Sequence, residues 1–300
     1  MMSKRKELWR AIKLYLLYNV IEFVIIGFVA IPIVFHDLSM HMSRETVEEH
    51  MLQSDYYKLS ECIAYLLIIA LFINKRYVKM SLGSMARMKR TTLWTAIGIA
   101  AMISVGCCFF SISFWELIGG CDNIFPKDIE KIEKMYGAMS EGILGCLADI
   151  ILIPICEEIL FRGIVLRSML KMRWRPWVAI LISALIFSAM HGTTFQTIDI
   201  LPFGIIVGWL YWRTKSLLPG IVIHIVNNSI AIVLPQFVES NDDDTEVGMK
   251  VWIVTFGISI ALMAYGIYWY RKKAQCLESS LKKANFASTN EIYTVDQRER

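Results

Sequence analysis

Charged residues are scarce in this sequence. Only 19% of its 300 residues are Asp, Glu, Lys or Arg, whereas soluble domains contain about 25%. Hydrophobic residues make up 56%, and the mean hydropathy is +0.49. The apolar residues form blocks of about 16–24, close to the roughly 20 that cross a bilayer. This composition excludes an ordinary soluble domain and predicts an all-α, polytopic integral membrane protein built as a bundle of transmembrane helices.

Paired cysteine motifs are also missing. The sequence contains seven cysteines, an odd number, and no CxxC pair. Most of them lie in apolar stretches, at Cys62, Cys107, Cys108, Cys146 and Cys156. We therefore interpret them as small buried hydrophobes and not as a disulfide framework.

A cleavable signal peptide and two common hydrolase motifs are not found either. The first apolar block, near 14–35, is long enough to span and lacks an obvious small-residue cleavage site. HExxH, the commonest zinc-protease helix, is absent, and so is GxSxG, the serine-hydrolase elbow. There is no internal repeat and no inverted pair of broken helices of the transporter type.

We predict eight spans from the apolar blocks that are present. The second is the weakest because Lys58 and Glu61 stand at its start. The spans lie at about 14–35, 58–74, 93–117, 141–161, 177–194, 198–213, 217–235 and 250–270.

The distribution of Lys and Arg sets the expected orientation. With both termini in the cytoplasm, 25 of the 31 Lys and Arg residues fall on the inside and five on the outside, with Lys58 at a span edge. The outside loops are acidic, notably at 48–49 and 242–244. This division supports eight spans with cytoplasmic termini.

The predicted spans divide the chain into four regions. We expect an N-terminal region of three spans at 1–135, a core that carries the polar motifs at 136–240, a last span within 241–275, and a polar cytoplasmic tail at 276–300. The tail carries no membrane signal.

Glu157 and Glu158 are adjacent carboxylates inside an apolar run. Charges in the membrane are costly, so they are functional candidates by default. Adjacent helical residues point about 100° apart, which predicts different roles for the two carboxylates. Glu158 and Arg162 are four residues apart and within ion-pair reach. Pro154 cannot donate to the carbonyl of Ile150, so we expect a kink that opens polar space.

Two later helices carry imidazoles in similar settings. Phe187 and His191 are four residues apart and share a face, as do His224 and Asn228. Asn227 points about 100° away from Asn228. Taken singly, each group also fits an interfacial residue or an interhelical hydrogen bond.

Four other acidic residues lie within apolar segments. They stand alone or near span ends, so we interpret them as polar groups of helix–helix or interfacial contacts. They are Glu22, Glu61, Asp149 and Asp199.

Counting along the chain predicts that these groups meet. Glu157 and His191 are both 17 residues from position 174, where the chain turns near 173–176. In an antiparallel hairpin such residues lie at the same height. His224 lies about 10 Å inside the start of its own span, which is also cytoplasmic. We therefore expect one cluster in the inner half of the bilayer.

Such a cluster allows two kinds of hydrolytic chemistry. A carboxylate and an imidazole beside one water can activate it for attack on a carbonyl, while a second imidazole and an amide stabilise the oxyanion. Two His and one or two Glu also form a plausible zinc site with an open position. The residues alone leave both open.

The three ordered motifs resemble those of the CPBP family, the CAAX-protease-and-bacteriocin-processing or Abi proteins. These include type II CAAX prenyl endopeptidases and lysostaphin-resistance-A-like proteins. The resemblance covers about 140–235 and rests on three motifs in order. They are Glu157–Glu158–x–x–x–Arg162, Phe187–x–x–x–His191 and His224–x–x–x–Asn228.

The resemblance implies an intramembrane endopeptidase with catalytic residues at six positions. Glu157 and His191 would activate water, and His224 and Asn228 would hold the oxyanion. Glu158 and Arg162 would orient the site. Members have been described both as metalloproteases and as metal-independent glutamate proteases, so the cofactor is either zinc or none.

The expected partners are the lipid bilayer and a peptide or protein substrate, with no nucleic acid. We expect an integral protein of a bacterial plasma membrane, acting in CAAX-type or bacteriocin and peptide processing. Two alternatives stay open: a non-enzymatic immunity or scaffold protein, and a transporter or channel with a Glu/His proton relay. The complete set of motifs favours the enzyme.

Overall fold

Helices make up the structure throughout the described residues. The computed structural model describes residues 4–74, 90–139, 142–233 and 248–272, and no strand occurs within these ranges. The all-α prediction is therefore confirmed. The acidic segment 242–244 and the tail at 276–300 lie outside the described residues.

Eleven helical elements are numbered here in chain order over the described residues. They are α1 (Lys4–Ser39), α2 (Arg44–Gln53), α3 (Asp55–Asn74), α4 (Arg90–Leu117), α5 (Cys121–Ile124), α6 (Pro126–Met139), the composite α7 (142–171), α8 (Pro176–Ala189), α9 (Thr194–Thr214), α10 (Leu218–Val233) and α11 (Gly248–Lys272).

The composite helix α7 changes its hydrogen-bond pattern along its length. Two π-helical segments, Ala148–Leu152 and Glu158–Leu166, alternate with short α-helical ones. Pro154 lies between them, in the α-helical segment Ile153–Glu157. π-Helical segments of this kind are frequent at functional sites, and the kink expected at Pro154 stays a prediction. Glu158 begins the second π-helical segment.

Packing between helices that are distant in sequence builds the core. α8 packs along α9, α10 along α4, and α1 along α3. The last helix joins through α4, where the hydroxyl of Tyr270 donates to the carbonyl of Ala96 at 2.7 Å. Gly266 faces Ile103 so closely that a Cβ would collide with it. This glycine lets α11 and α4 approach.

Four helices within the described ranges are long and apolar enough to cross a membrane. They are Lys4–Ser39, Leu93–Leu117, Thr194–Thr214 and Gly248–Lys272, while α8 and α10 are shorter apolar helices. Side chains of α1 are exposed, with Phe23 at 77% and Phe28 at 81%, as suits a helix in contact with lipid. The count of eight spans, the orientation and the regional boundaries stay predictions.

The cysteines behave as small apolar residues. Cys62, Cys107, Cys108 and Cys156 are buried, and every cysteine among the described residues is free. The interpretation as small buried hydrophobes is confirmed for these four residues.

Candidate active site

The hairpin between α7 and α8 has its turn where the sequence places it. α7 continues to Lys171 and α8 begins at Pro176, so the connection lies at 172–175. α8 ends at Ala189, earlier than the predicted span end at 194. His191 therefore lies in the turn after the helix. Gly192 adopts φ +84°, a left-handed conformation that glycine tolerates and that turns the chain towards α9.

Glu157 and Glu158 differ in exposure, as the sequence predicts. The side chain of Glu158 is fully buried, whereas that of Glu157 is 22% exposed. Both contact His224, from two sides of its ring. Glu157 Oε2 lies 3.3 Å from Nε2, and Glu158 Oε1 lies 3.3 Å from Nδ1. One imidazole therefore bridges the two carboxylates, a contact that the linear sequence does not indicate.

Arg162 neutralises the buried carboxylate. Its side chain is 1% exposed and donates from one guanidinium nitrogen to Glu158 Oε1 at 2.8 Å. A second nitrogen donates to the carbonyl of Gly204 at 3.2 Å. The predicted i, i+4 contact is present. A buried ion pair is stable only when further hydrogen bonds offset its desolvation, and Gly204 supplies one.

Gly220 gives Glu158 the room that it occupies. A Cβ at this position would lie 2.6 Å from Glu158 Oε2 and 2.8 Å from Val207 Cγ1. Oε2 is buried and has no hydrogen-bond partner among the described residues. Gly220 stands four residues before His224, so it shares that face of α10. We did not predict a role for Gly220 from the sequence, although its spacing from His224 was a usable signal.

His191 is oriented by the backbone of the helix that precedes it, α8. Its Nδ1 lies 3.0 Å from the carbonyl oxygen of Phe187. A carbonyl accepts, so Nδ1 carries the proton and Nε2 of the neutral ring is left as an acceptor. The ring is half-buried and meets Phe187 edge to face at 5.0 Å. The predicted shared face of Phe187 and His191 is present.

Phe187 connects the parts of the site. Its ring lies 5.6 Å from that of His224, and the guanidinium of Arg162 stacks over it at 4.5 Å. The ring contact with His191 completes the set. His191 thus joins the Glu157–Glu158–Arg162–His224 cluster through this fully buried phenyl ring. The sequence pattern predicted only that Phe187 neighbours His191.

Asn228 links α10 to the first π-helical segment of α7. Its side-chain amide donates to the carbonyl of Asp149 at 2.9 Å. Asn227 points elsewhere, and its amide oxygen accepts from the thiol of Cys108 at 3.0 Å. The two amides diverge as predicted. The structure thus places Asn228 against the backbone of α7.

Glu22 and Asp199, two of the four other acidic residues in apolar segments, form hydrogen bonds with side chains of neighbouring helices. Glu22 accepts from the hydroxyl of Tyr65 at 2.9 Å and is close enough to Glu157 for the two carboxylates to interact electrostatically. Asp199 accepts from Ser111 and from the indole of Trp115. Both residues thus make polar contacts between different helices, as expected for groups of this kind. Glu22 brings α1 to the edge of the site.

The donor atoms do not fit a zinc ion as they are placed. No group of three or more His, Cys, Asp or Glu side chains in the described ranges has the spacing that holds a metal. Both nitrogens of His224 face carboxylate oxygens, and Glu158 is held by Arg162. The reaction described below therefore contains no step through a metal.

Comparison with known proteins agrees with this site. Residues 139–230 match the family described as type II CAAX prenyl endopeptidase Rce1-like. This confirms the resemblance that the three motifs indicate. The matched range contains all six candidate residues.

One curated relative extends the similarity along most of the chain. It is "Putative membrane peptidase YdiL" of Bacillus subtilis (strain 168), 24% identical over 238 residues, which cover 77% of this chain and 89% of the relative. No solved structure matches. Together with the apolar helices, these similarities support an integral membrane protein and a membrane peptidase.

Proposed function

We propose that this protein is an intramembrane endopeptidase that hydrolyses peptide bonds of membrane-associated proteins or peptides. One observation carries the proposal: the partly exposed carboxylate of Glu157 lies 3.3 Å from the imidazole of His224. The other side of this imidazole contacts Glu158, which is buried and paired with Arg162. A partly exposed base beside a fixed donor is what attack by water on a carbonyl requires.

Glu157 is the general base of the proposed reaction. Glu158 Oε1 accepts a hydrogen bond from Arg162 at 2.8 Å and lies 3.3 Å from Nδ1 of His224. Nε2 of His224 lies 3.3 Å from Oε2 of Glu157. The carboxylate of Glu157 is partly exposed, so it can take a proton from a water beside it.

His191 completes the activation of water. Its Nδ1–H is committed to the carbonyl of Phe187, so Nε2 accepts a hydrogen bond from the attacking water. The water oxygen bonds to the peptide carbonyl carbon, and its proton passes to Glu157. The C–N bond then breaks as Glu157 returns the proton to the departing amine.

His224 and Asn228 stabilise the oxyanion of the tetrahedral intermediate. The Nε2–H of His224 is fixed by Glu158 at the opposite side of the ring, so little reorganisation is needed when charge develops. Asn228 supplies an amide from the same face of α10, four residues along the helix. Arg162 acts through Glu158, as a positioning residue.

The similarities support a proposal for the substrate class. The matched family is described as CAAX prenyl endopeptidases and the relative as a membrane peptidase, so we propose a protein or peptide at the membrane, of CAAX type or a processed bacteriocin-like peptide. The Bacillus relative supports a bacterial plasma membrane.

Purified protein incubated with a panel of membrane-peptide substrates tests the proposal. We expect cleavage by the wild type and its loss in Glu157→Ala, His191→Ala and His224→Ala. Glu133→Ala, an exposed residue of α6, is the control and should cut normally. Peptide binding without cleavage by the wild type would favour the scaffold alternative, and undiminished cleavage by all three variants would refute the assignment.

A further inference from the structure

A cavity that is open to the outside lies apart from the candidate active site. It has a volume of about 470 Å³ and is lined by α8, α9 and α11. Its walls are three tryptophans, three isoleucines and two arginines. Arg213 is nine residues beyond Gly204 on α9, about 14 Å along the helix from the carbonyl that binds Arg162. The peptidase proposal leaves this cavity without a role.

The two arginines give the cavity its charge. Arg213 and Arg271 both line it, and no Asp or Glu is among its lining residues in the described chain. The Nε of Arg213 is buried and has no hydrogen-bond partner among the described residues. A buried donor without an acceptor costs free energy, which an acceptor from a ligand would offset. Guanidinium groups match the oxygens of phosphate in pairs.

The tryptophans of the cavity indicate the depth at which it lies in the membrane. Trp177 and Trp212 lie 6.0 Å apart, and the guanidinium of Arg213 stands 5.6 Å from the Trp212 ring. Trp177 is 59% exposed. Tryptophans concentrate at the level of lipid headgroups. Isoleucines of α9 and α11 line the rest of the cavity, so charged, amphipathic and apolar surfaces meet there.

We propose that this cavity binds an anionic glycerophospholipid of the cytoplasmic leaflet. Its phosphate lies between Arg213 and Arg271, its glycerol region against the tryptophans, and an acyl chain along the isoleucines. The predicted orientation places these arginines on the cytoplasmic side, where the membrane surface is anionic. The lipid bridges α9 and α11. This site is independent of the peptidase proposal.

Native mass spectrometry of the full chain, titrated with phosphatidylglycerol or phosphatidylcholine, tests the site. We expect the wild type to prefer phosphatidylglycerol, and Arg213→Gln/Arg271→Gln to lose about tenfold or more in affinity. Arg175→Gln/Lys272→Gln removes the same charge from exposed residues that do not line the cavity. This control should stay within about twofold of the wild type. An equal loss of affinity in the two double variants, or equal binding of the two lipids by the wild type, would overturn the proposal.

A variant that leaves the charge unchanged provides a second test in case Arg213→Gln/Arg271→Gln does not fold. Ile206→Trp fills the apolar part of the cavity and leaves both arginines in place. We expect it to weaken phosphatidylglycerol binding by about tenfold. Unchanged binding in this variant would overturn the proposal. The proposal would also be overturned if inorganic phosphate displaced the lipid at an equal concentration, because the site would then be one for small anions.

Discussion

Nδ1 of His224 lies 3.3 Å from Oε1 of Glu158, the oxygen that also accepts the hydrogen bond of Arg162 at 2.8 Å. A single buried atom therefore couples α10 to the ion pair of α7. The opposite side of the same imidazole faces Glu157. The proposed mechanism therefore gives Glu158 a structural role and Glu157 a catalytic one, and each role can be tested separately.

Replacing each glutamate with glutamine should separate these two demands. Glu158→Gln leaves the buried guanidinium of Arg162 without its counter-charge, so we expect a loss of about 3–5 kcal/mol in stability. Glu157→Gln alters a partly exposed side chain and should retain its fold while cleavage falls on the order of 10²–10⁴-fold. Thermal unfolding in detergent and a cleavage assay measure the two effects. Equal stability of the two variants would contradict this division.

Gly220→Ala should destabilise the protein. The added Cβ would meet Glu158 Oε2 at 2.6 Å and Val207 Cγ1 at 2.8 Å, so α10 must shift. Overpacking of this kind costs about 1–3 kcal/mol. Gly98→Ala is the matched control, because this helical glycine has nothing within 4 Å of its Cβ position. We expect it to unfold at or above the wild-type temperature, and a similar melting temperature for both variants would count against the close approach.

The neighbouring asparagines offer a matched pair for the oxyanion role. Asn228→Ala removes the proposed donor and should lower kcat by about 10²–10³-fold. Asn227→Ala removes only the contact with Cys108 and should keep kcat close to that of the wild type. Steady-state kinetics with one peptide substrate compares them. An equal decrease in kcat for both variants would mean that Asn228 only supports the packing of α10.

Metal chelation should leave cleavage unchanged. The two carboxylates and the imidazole of His224 contact one another, and Glu158 also binds Arg162. We therefore expect activity within about twofold of the untreated protein after exhaustive chelation. A known zinc protease treated in parallel shows that the chelator works. Loss of activity that added zinc restores would instead establish a metalloprotease.

Much of the site was predictable because helical periodicity is local. The four-residue spacing placed Glu158 with Arg162 and Phe187 with His191, and both contacts are present. The apolar blocks predicted an all-α protein, and the turn near position 174 followed from the chain itself. These features depend on residues close in sequence, whose relative positions a helix fixes.

Tertiary structure alone decided how the helices meet. The bridging position of His224, the space at Gly220 and the central place of Phe187 depend on contacts between different helices. So does the cavity that contains Arg213 and Arg271. Such contacts need the crossing angle and rotation of each helix to within an ångström or so, and side-chain packing across the whole bundle sets both. The sequence determined which residues share a face, and packing determined what each face meets.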